Sequence, residues 1–331
     1  MTTRKAIALT LLAVFAVASP LKAADDPLAD NAALAYYQAY LFLPNLDDAK
    51  KSAVKQAVAG EKDISKDLVA ILDESEIALH QLHRGTKLSH CVWGTEFDAG
   101  PNAMLAHISQ SRELARLACL RARRHFEQGN ASAAVDDVVA TLTLARHCSN
   151  DAVLVAVLVD YAIEAMVIEM AESYVSSLSK KDLERLSMGI EALPVTVTMT
   201  DSVLAEKAVF GNWLVRVLRQ PNGKAELLKV IGKTDDSNAK ALAALSSEEL
   251  AEGTKGLLAI YDELAEMAAL PSAELQQKQR EFFKNLDANK PSELLARLLA
   301  PAVSTARQAE EKHQARLATF KTSVDVALSS K

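Results

Sequence analysis

The chain has 331 residues, 50% of them hydrophobic and 24% charged, so it can bury a sizeable core in one or two domains and does not read as disordered. Eleven glycines, nine prolines and 5% aromatics, beside abundant alanine, exclude collagen-like and disulfide-dense classes and favour helices over strands. A formal charge of −6 leaves no basic surplus to neutralise a phosphate backbone, so nucleic acid is not an expected partner.

Residues 1–23 have the layout of a secretory signal peptide: cationic Arg4 and Lys5, an apolar run from Ala6 to Ala18, then Ser19 and Pro20 before a cleavage point after Ala23. The apolar run is shorter than the ~20 residues that span a bilayer, and no cysteine follows it to carry a lipid. The expected location is therefore exported, periplasmic or secreted. Cleavage removes Arg4, Lys5 and Lys22 and makes the mature chain more acidic. A second apolar stretch, Ala152 to Met170, carries Asp160, Glu164 and Glu169. Three carboxylates at membrane depth cost too much for a span, so a core helix is expected and no stable membrane insertion after cleavage.

Apolar spacing of three and four, with breakers between, predicts an all-α fold of antiparallel helical hairpins, a tetratricopeptide-like array or an irregular bundle, with about eleven helices. The first helix runs from Asn31 to Leu43, capped by Asp30 and stopped by Pro44; others follow from Asp47 to Ala59 and from Ser65 to Arg84. The longest irregular segment is Gly85 to Asn102, and long loops in compact domains often carry function. Ala103 to Gln128 and Ser132 to His147 form a helical hairpin turning at Gly129-Asn130, with Ala133 and Ala134 small enough for close approach. Helices continue from Ala152 to Ser177 and from Lys180 to Ala192, the latter capped by Ser179. The β-branched run at 195–200, VTVTMT, reads as an extended connector and as the preferred boundary between a helical hairpin domain, 24–192, and a second helical portion, 193–331. Beyond it, helices are expected near 201–220, 224–231, 247–270, 273–286 and 292–328, the last kinked at Pro301, with 232–238 as a polar loop.

The run HISQSRELARLACLRARRHFEQGNASAAVDDVVATLTLARH, preceded by Cys91-Val92-Trp93-Gly94 and by NAALAYYQAYLFLP, resembles a group of uncharacterised exported helical proteins of planctomycete-type bacteria. The resemblance is strongest over residues 31–170. It implies a helical fold and export, and it brings no activity, ligand or catalytic residue with it.

Six histidines, His80, His83, His90, His107, His125 and His147, crowd into the stretch that also contains Cys91 and Cys119 and abuts Cys148. Glu76, His80 and His83 share one helix face, and with His90 and Cys91 they form the candidate ligand set for a divalent metal. The usual signatures are missing: no C-x-x-C, no H-E-x-x-H, and only Glu310 to His313 as an E-x-x-H element. The bland alternative is surface or hydrogen-bonded histidine. In an oxidising compartment the three cysteines also raise a disulfide. Cys119 and Cys148 are offset by about 13 Å along the hairpin, which leaves Cys91 with Cys148, or three small core hydrophobes.

Asp160 and Glu164, four apart on an apolar helix, need a partner if buried, and Arg112, Arg116 and Arg146 are the candidates for a mainly structural polar cluster. Trp93 beside Gly94 reads as a loop anchor that plugs into the helices. Tyr36, Tyr40 and Leu43 follow core spacing. No nucleophile elbow, phosphate-binding glycine loop or dinucleotide fingerprint occurs in the sequence, so no cofactor is called for and enzyme activity has no positive support. The leading expectation is an exported, non-catalytic helical module that binds a protein or peptide partner in a groove between hairpins. The alternative is a periplasmic metal-binding protein built on residues 76–91.

Overall fold

The computed structural model describes residues 30–88, 90–231, 237–287, 289–299 and 303–331. The leader expected over 1–23 and the kink expected at Pro301 lie outside them. Sixteen α-helices occur among the described residues, more than the eleven expected. In chain order they are α1 (Ala32–Leu41), α2 (Asp48–Val58), α3 (Lys66–Glu74), α4 (Glu76–Gly85), α5 (Ala106–Glu127), α6 (Ala131–Cys148), α7 (Leu154–Glu172) and α8 (Lys180–Glu191). Then follow α9 (Met199–Glu206), α10 (Asn212–Leu218), α11 (Gly223–Ile231), α12 (Ser237–Ala244), α13 (Ser247–Ala268), α14 (Ser272–Asn285), α15 (Pro291–Leu299) and α16 (Val303–Ser329). The β pairing among the described residues is a single bridge between Asn31 and His90.

The extra helices come from breaks inside stretches whose apolar periodicity runs on. The helix expected over 65–84 is divided at Ser75, whose buried hydroxyl donates to the Ile71 carbonyl over 2.6 Å and so competes with the helical ladder. The helix expected over 201–220 is interrupted by a π turn at Lys207–Gly211. The lack of a Cβ at Gly211 lets Leu258 of α13 approach there. Polar side chains start the helices: Asn31 rather than the expected Asp30 caps α1, Asp47 accepts from the Lys50 N–H over 2.8 Å, and Ser246 with Glu249 closes a capping box on α13.

Helices α5 and α6 form a hairpin whose turn contains Gly129 at φ +77°, a left-handed position that costs a residue with a Cβ. One core contains Tyr36, Leu79, Leu114, Leu142 and Ile163, and a second contains Leu214, Leu257, Tyr261 and Leu295. Two helices serve both. Val157 and Tyr161 of α7 lie in the second core and Ile163 and Val167 in the first, while α16 places Val303 and Ala306 in the second and Phe320 and Val324 in the first.

Charged side chains of α16 also satisfy other helices' ends. Glu310 accepts from the Met199 N–H at the start of α9 over 3.2 Å, and Glu311 accepts from the Ser272 N–H at the start of α14 over 2.7 Å. Arg307 donates to the Leu270 carbonyl beyond the end of α13 over 3.0 Å. These contacts supply partners to groups that a helix leaves unbonded at its termini and place each charge at the favourable pole.

Candidate functional site

A cleft of about 520 Å3 is walled by the C-terminal half of α2, the middle of α5 and the C-terminal half of α7. Its apolar surface is supplied by Val58, Met166, Met170 and Tyr174, and its charges are Lys55, Arg116, Arg123 and Glu169. Tyr174 is held by Phe126 of α5, stacked at 4.5 Å. Arg123 is 8% exposed and ties the walls together. It donates to the Ala57 carbonyl at the end of α2 and to the Lys62 carbonyl, and its Nε donates to Glu127 over 2.7 Å. Arg116 donates to Glu113 over 2.8 Å. Glu169 pairs with Arg316 of α16 at 3.0 Å. Lys55 is exposed and has no ion pair among the described residues.

The five metal candidates do not assemble. Glu76 and His80 face solvent. His83 contacts the Asp137 carboxylate at 2.7 Å and Arg121 at 2.9 Å. The His90 carbonyl accepts from the Ala32 N–H over 2.9 Å, its ring lies 3.8 Å from Asp30, and Cys91 is buried. No group of three or more His, Cys, Asp or Glu side chains that could hold a metal ion occurs among the described residues. Helical spacing places Glu76, His80 and His83 on one helix face, whereas a metal needs donors that converge from several directions. Burial would raise the Asp137 pKa, but hydrogen bonds from His83 and Arg121 outweigh it and hold the carboxyl below its usual range. All three cysteines are free thiols and buried.

Of the three arginines considered for Asp160 and Glu164, only Arg146 reaches them. Arg112 points to solvent and Arg116 belongs to the cleft. Arg146 binds Glu164 through Nε and donates from Nη2 over 3.3 Å. Ser149 donates to Asp160 over 2.9 Å. His313 of α16 comes within 3.6 Å of Glu164 and stacks on Tyr161 at 4.4 Å. Burial is the main force on both carboxyls, and the Asp160 charge adds to it at Glu164, so Glu164 is pushed up to about 8 and Asp160 to about 6 despite Arg146. Burial, reinforced by Arg146 and Arg316, brings His313 down to about 4. Both shifts favour the protonated form of the carboxyl pair, and the shift at His313 favours its neutral ring. With Asp160 and Glu164 both fully buried, a substrate has no path to them. The arrangement joins α6, α7 and α16.

Trp93 is 3% exposed. Its Nε1 donates to the His147 carbonyl over 2.7 Å, and its ring stacks on His107 at 4.3 Å. Tyr36 bonds His147 Nδ1 over 2.7 Å, and Tyr40 meets the Ser111 hydroxyl over 2.6 Å. The segment around Trp93 is thus pinned to α1, α5 and α6 by its indole.

The cleft has no signature in the sequence. Lys55, Arg116 and Met166 come from three separate helices and Tyr174 from the turn after α7, and nothing in their local sequence spacing brings them together. His313, the seventh histidine, had a signal in its E-x-x-H spacing with Glu310. Comparison with protein-family models, with curated proteins and with solved structures finds no match for this chain.

Proposed function

We propose that this protein is an exported, non-catalytic helical binding module, and that it takes a peptide or protein segment in the cleft between α2, α5 and α7. The cleft carries the reading: an open depression of about 520 Å3 falls within the size range of binding pockets, and two methionines with an aromatic on its surface suit side chains of variable shape. Its walls contain no paired nucleophile and base. The two carboxyls with the strongest acid–base perturbation lie sealed in the interior, where they serve packing. Export rests on the layout of residues 1–23.

The test places a photo-crosslinking amino acid at position 166 in the native host. A discrete adduct from that position, with none from position 188 on the exposed face of α8, is the expected result. Equal labelling from both positions would remove the cleft as the binding site.

A further inference from the structure

We infer that the segment taken by the cleft is acidic, with an apolar side chain lodged among Met166, Met170 and Tyr174 and carboxylates on either side meeting Lys55 and Arg116. The inference rests on the cleft being a peptide site and adds the chemistry of its occupant.

Charge is the first observation. The chain is acidic overall, at −6, yet the charged side chains lining the cleft are three cations and one carboxylate. The carboxylate, Glu169, already has Arg316 at 3.0 Å, so it does not repel an anion at full strength. Glu113 and Glu127 sit beside the cleft and each engages one nitrogen of Arg116 or Arg123. A guanidinium has five N–H donors, so a single carboxylate contact leaves donors on Arg116 for a ligand. Lys55 is exposed and forms no ion pair among the described residues.

The second observation is the layering. The cations lie on α2 and α5 beside an apolar surface whose half-buried Met166 and Tyr174 are backed by the buried Val58 and Met170. A purely anionic ligand would waste that surface, and a purely apolar one would desolvate the ammonium and guanidinium groups without replacing their hydration. A segment with one large apolar residue between carboxylates satisfies both. Arg123 is excluded from the recognition set because its hydrogen bonds hold the end of α2 in place.

The probes are rhodamine-labelled short peptides with a central Leu-Phe pair flanked by Glu, by Gln or by Lys, titrated with the full chain by fluorescence polarisation. The expected order is Glu over Gln over Lys, with about a tenfold advantage for Glu over Gln that shrinks at high salt. Lys55→Glu and Arg116→Glu are each expected to weaken the Glu peptide by about three- to tenfold. Lys55→Gln, at an exposed site where folding is unaffected, should give a smaller loss of the same sign. Glu169→Gln should strengthen binding. If all three peptides bind alike and Met166→Asp abolishes binding of each, the acidic preference is overturned while the cleft remains the site. The acidic preference is equally overturned if the Glu peptide binds and neither cation variant changes its affinity. Absence of binding by every peptide overturns the peptide-cleft reading itself.

Discussion

Burial and the neighbouring Asp160 push the Glu164 carboxyl well above its ordinary range. Its folded-state pKa is raised from 4.5 to about 8, so the folded chain holds a proton that the unfolded chain has already released. Its contribution is complete below the unfolded value and is lost as pH rises through 8. Asp160, raised to about 6, acts in the same direction at lower pH, while His147 and His313, each lowered to about 4, act in the opposite direction below their ordinary 6.5. Between pH 6.5 and 8 the Glu164 effect is left largely unopposed. Urea denaturation is expected to show stability falling by about 1–2 kcal/mol across that window, with the fall absent in Glu164→Gln. A flat wild-type profile would mean the proton is not held there. The thiols give a second residue-scale outcome. Burial, with nearby Asp160 and Asp151, pushes the Cys148 thiol up to about 12, and Cys91 and Cys119 are raised as well, so none is a ready thiolate. An aromatic disulfide reagent at pH 8 should label none of the three in the folded chain and all three in denaturant. Rapid native labelling would contradict their burial.

At the scale of elements, the same residue type is under different constraints at two turns. Gly129 and Gly100 both have positive φ, +77° and +59°. A Cβ at Gly129 would meet nothing within 4 Å, whereas one at Gly100 would overlap the Trp213 ring of α10. Gly129→Ala is expected to cost about 1 kcal/mol, the left-handed backbone penalty alone. Gly100→Ala should cost more by about 1–3 kcal/mol of overpacking, because the 3-10 turn at Phe97–Asn102 must lift off α10. Equal losses in chemical denaturation would show that the turn does not seat on Trp213 in solution. Much of this level was legible. The turn at Gly129 and the Ser179 cap can both be read from local chemistry, because caps and turns involve neighbours in sequence. The breaks at Ser75 and at 207–211 were not legible. Apolar periodicity runs through both, and the bending comes from a buried hydroxyl in one and from a neighbouring helix in the other.

For the whole molecule, α16 is the decisive element. It ends 27 residues after beginning in the second core, having covered α7 and α8 with Phe320 and Val324. A chain stopped after Ala192 loses that cover and the His313 partner of Glu164. It is expected to lose cooperative unfolding and to bind a hydrophobic dye, while the chain from Ala24 to Lys331 unfolds in one transition by both far-ultraviolet and tryptophan signals. Two separated transitions in the longer chain would mean the cores fold independently. By itself the sequence determined the all-helical class, the hairpin at Gly129 and the need to neutralise Asp160 and Glu164, since each follows from composition, spacing of three and four, or the cost of burying a charge. Tertiary structure alone decided which arginine answers those carboxyls, that Glu76, His80, His83, His90 and Cys91 do not converge, and that Lys55, Arg116 and Met166 share a cleft. Those outcomes depend on how helices distant in the chain pack together, and helical periodicity specifies which face of a helix is buried without specifying which helix will cover it.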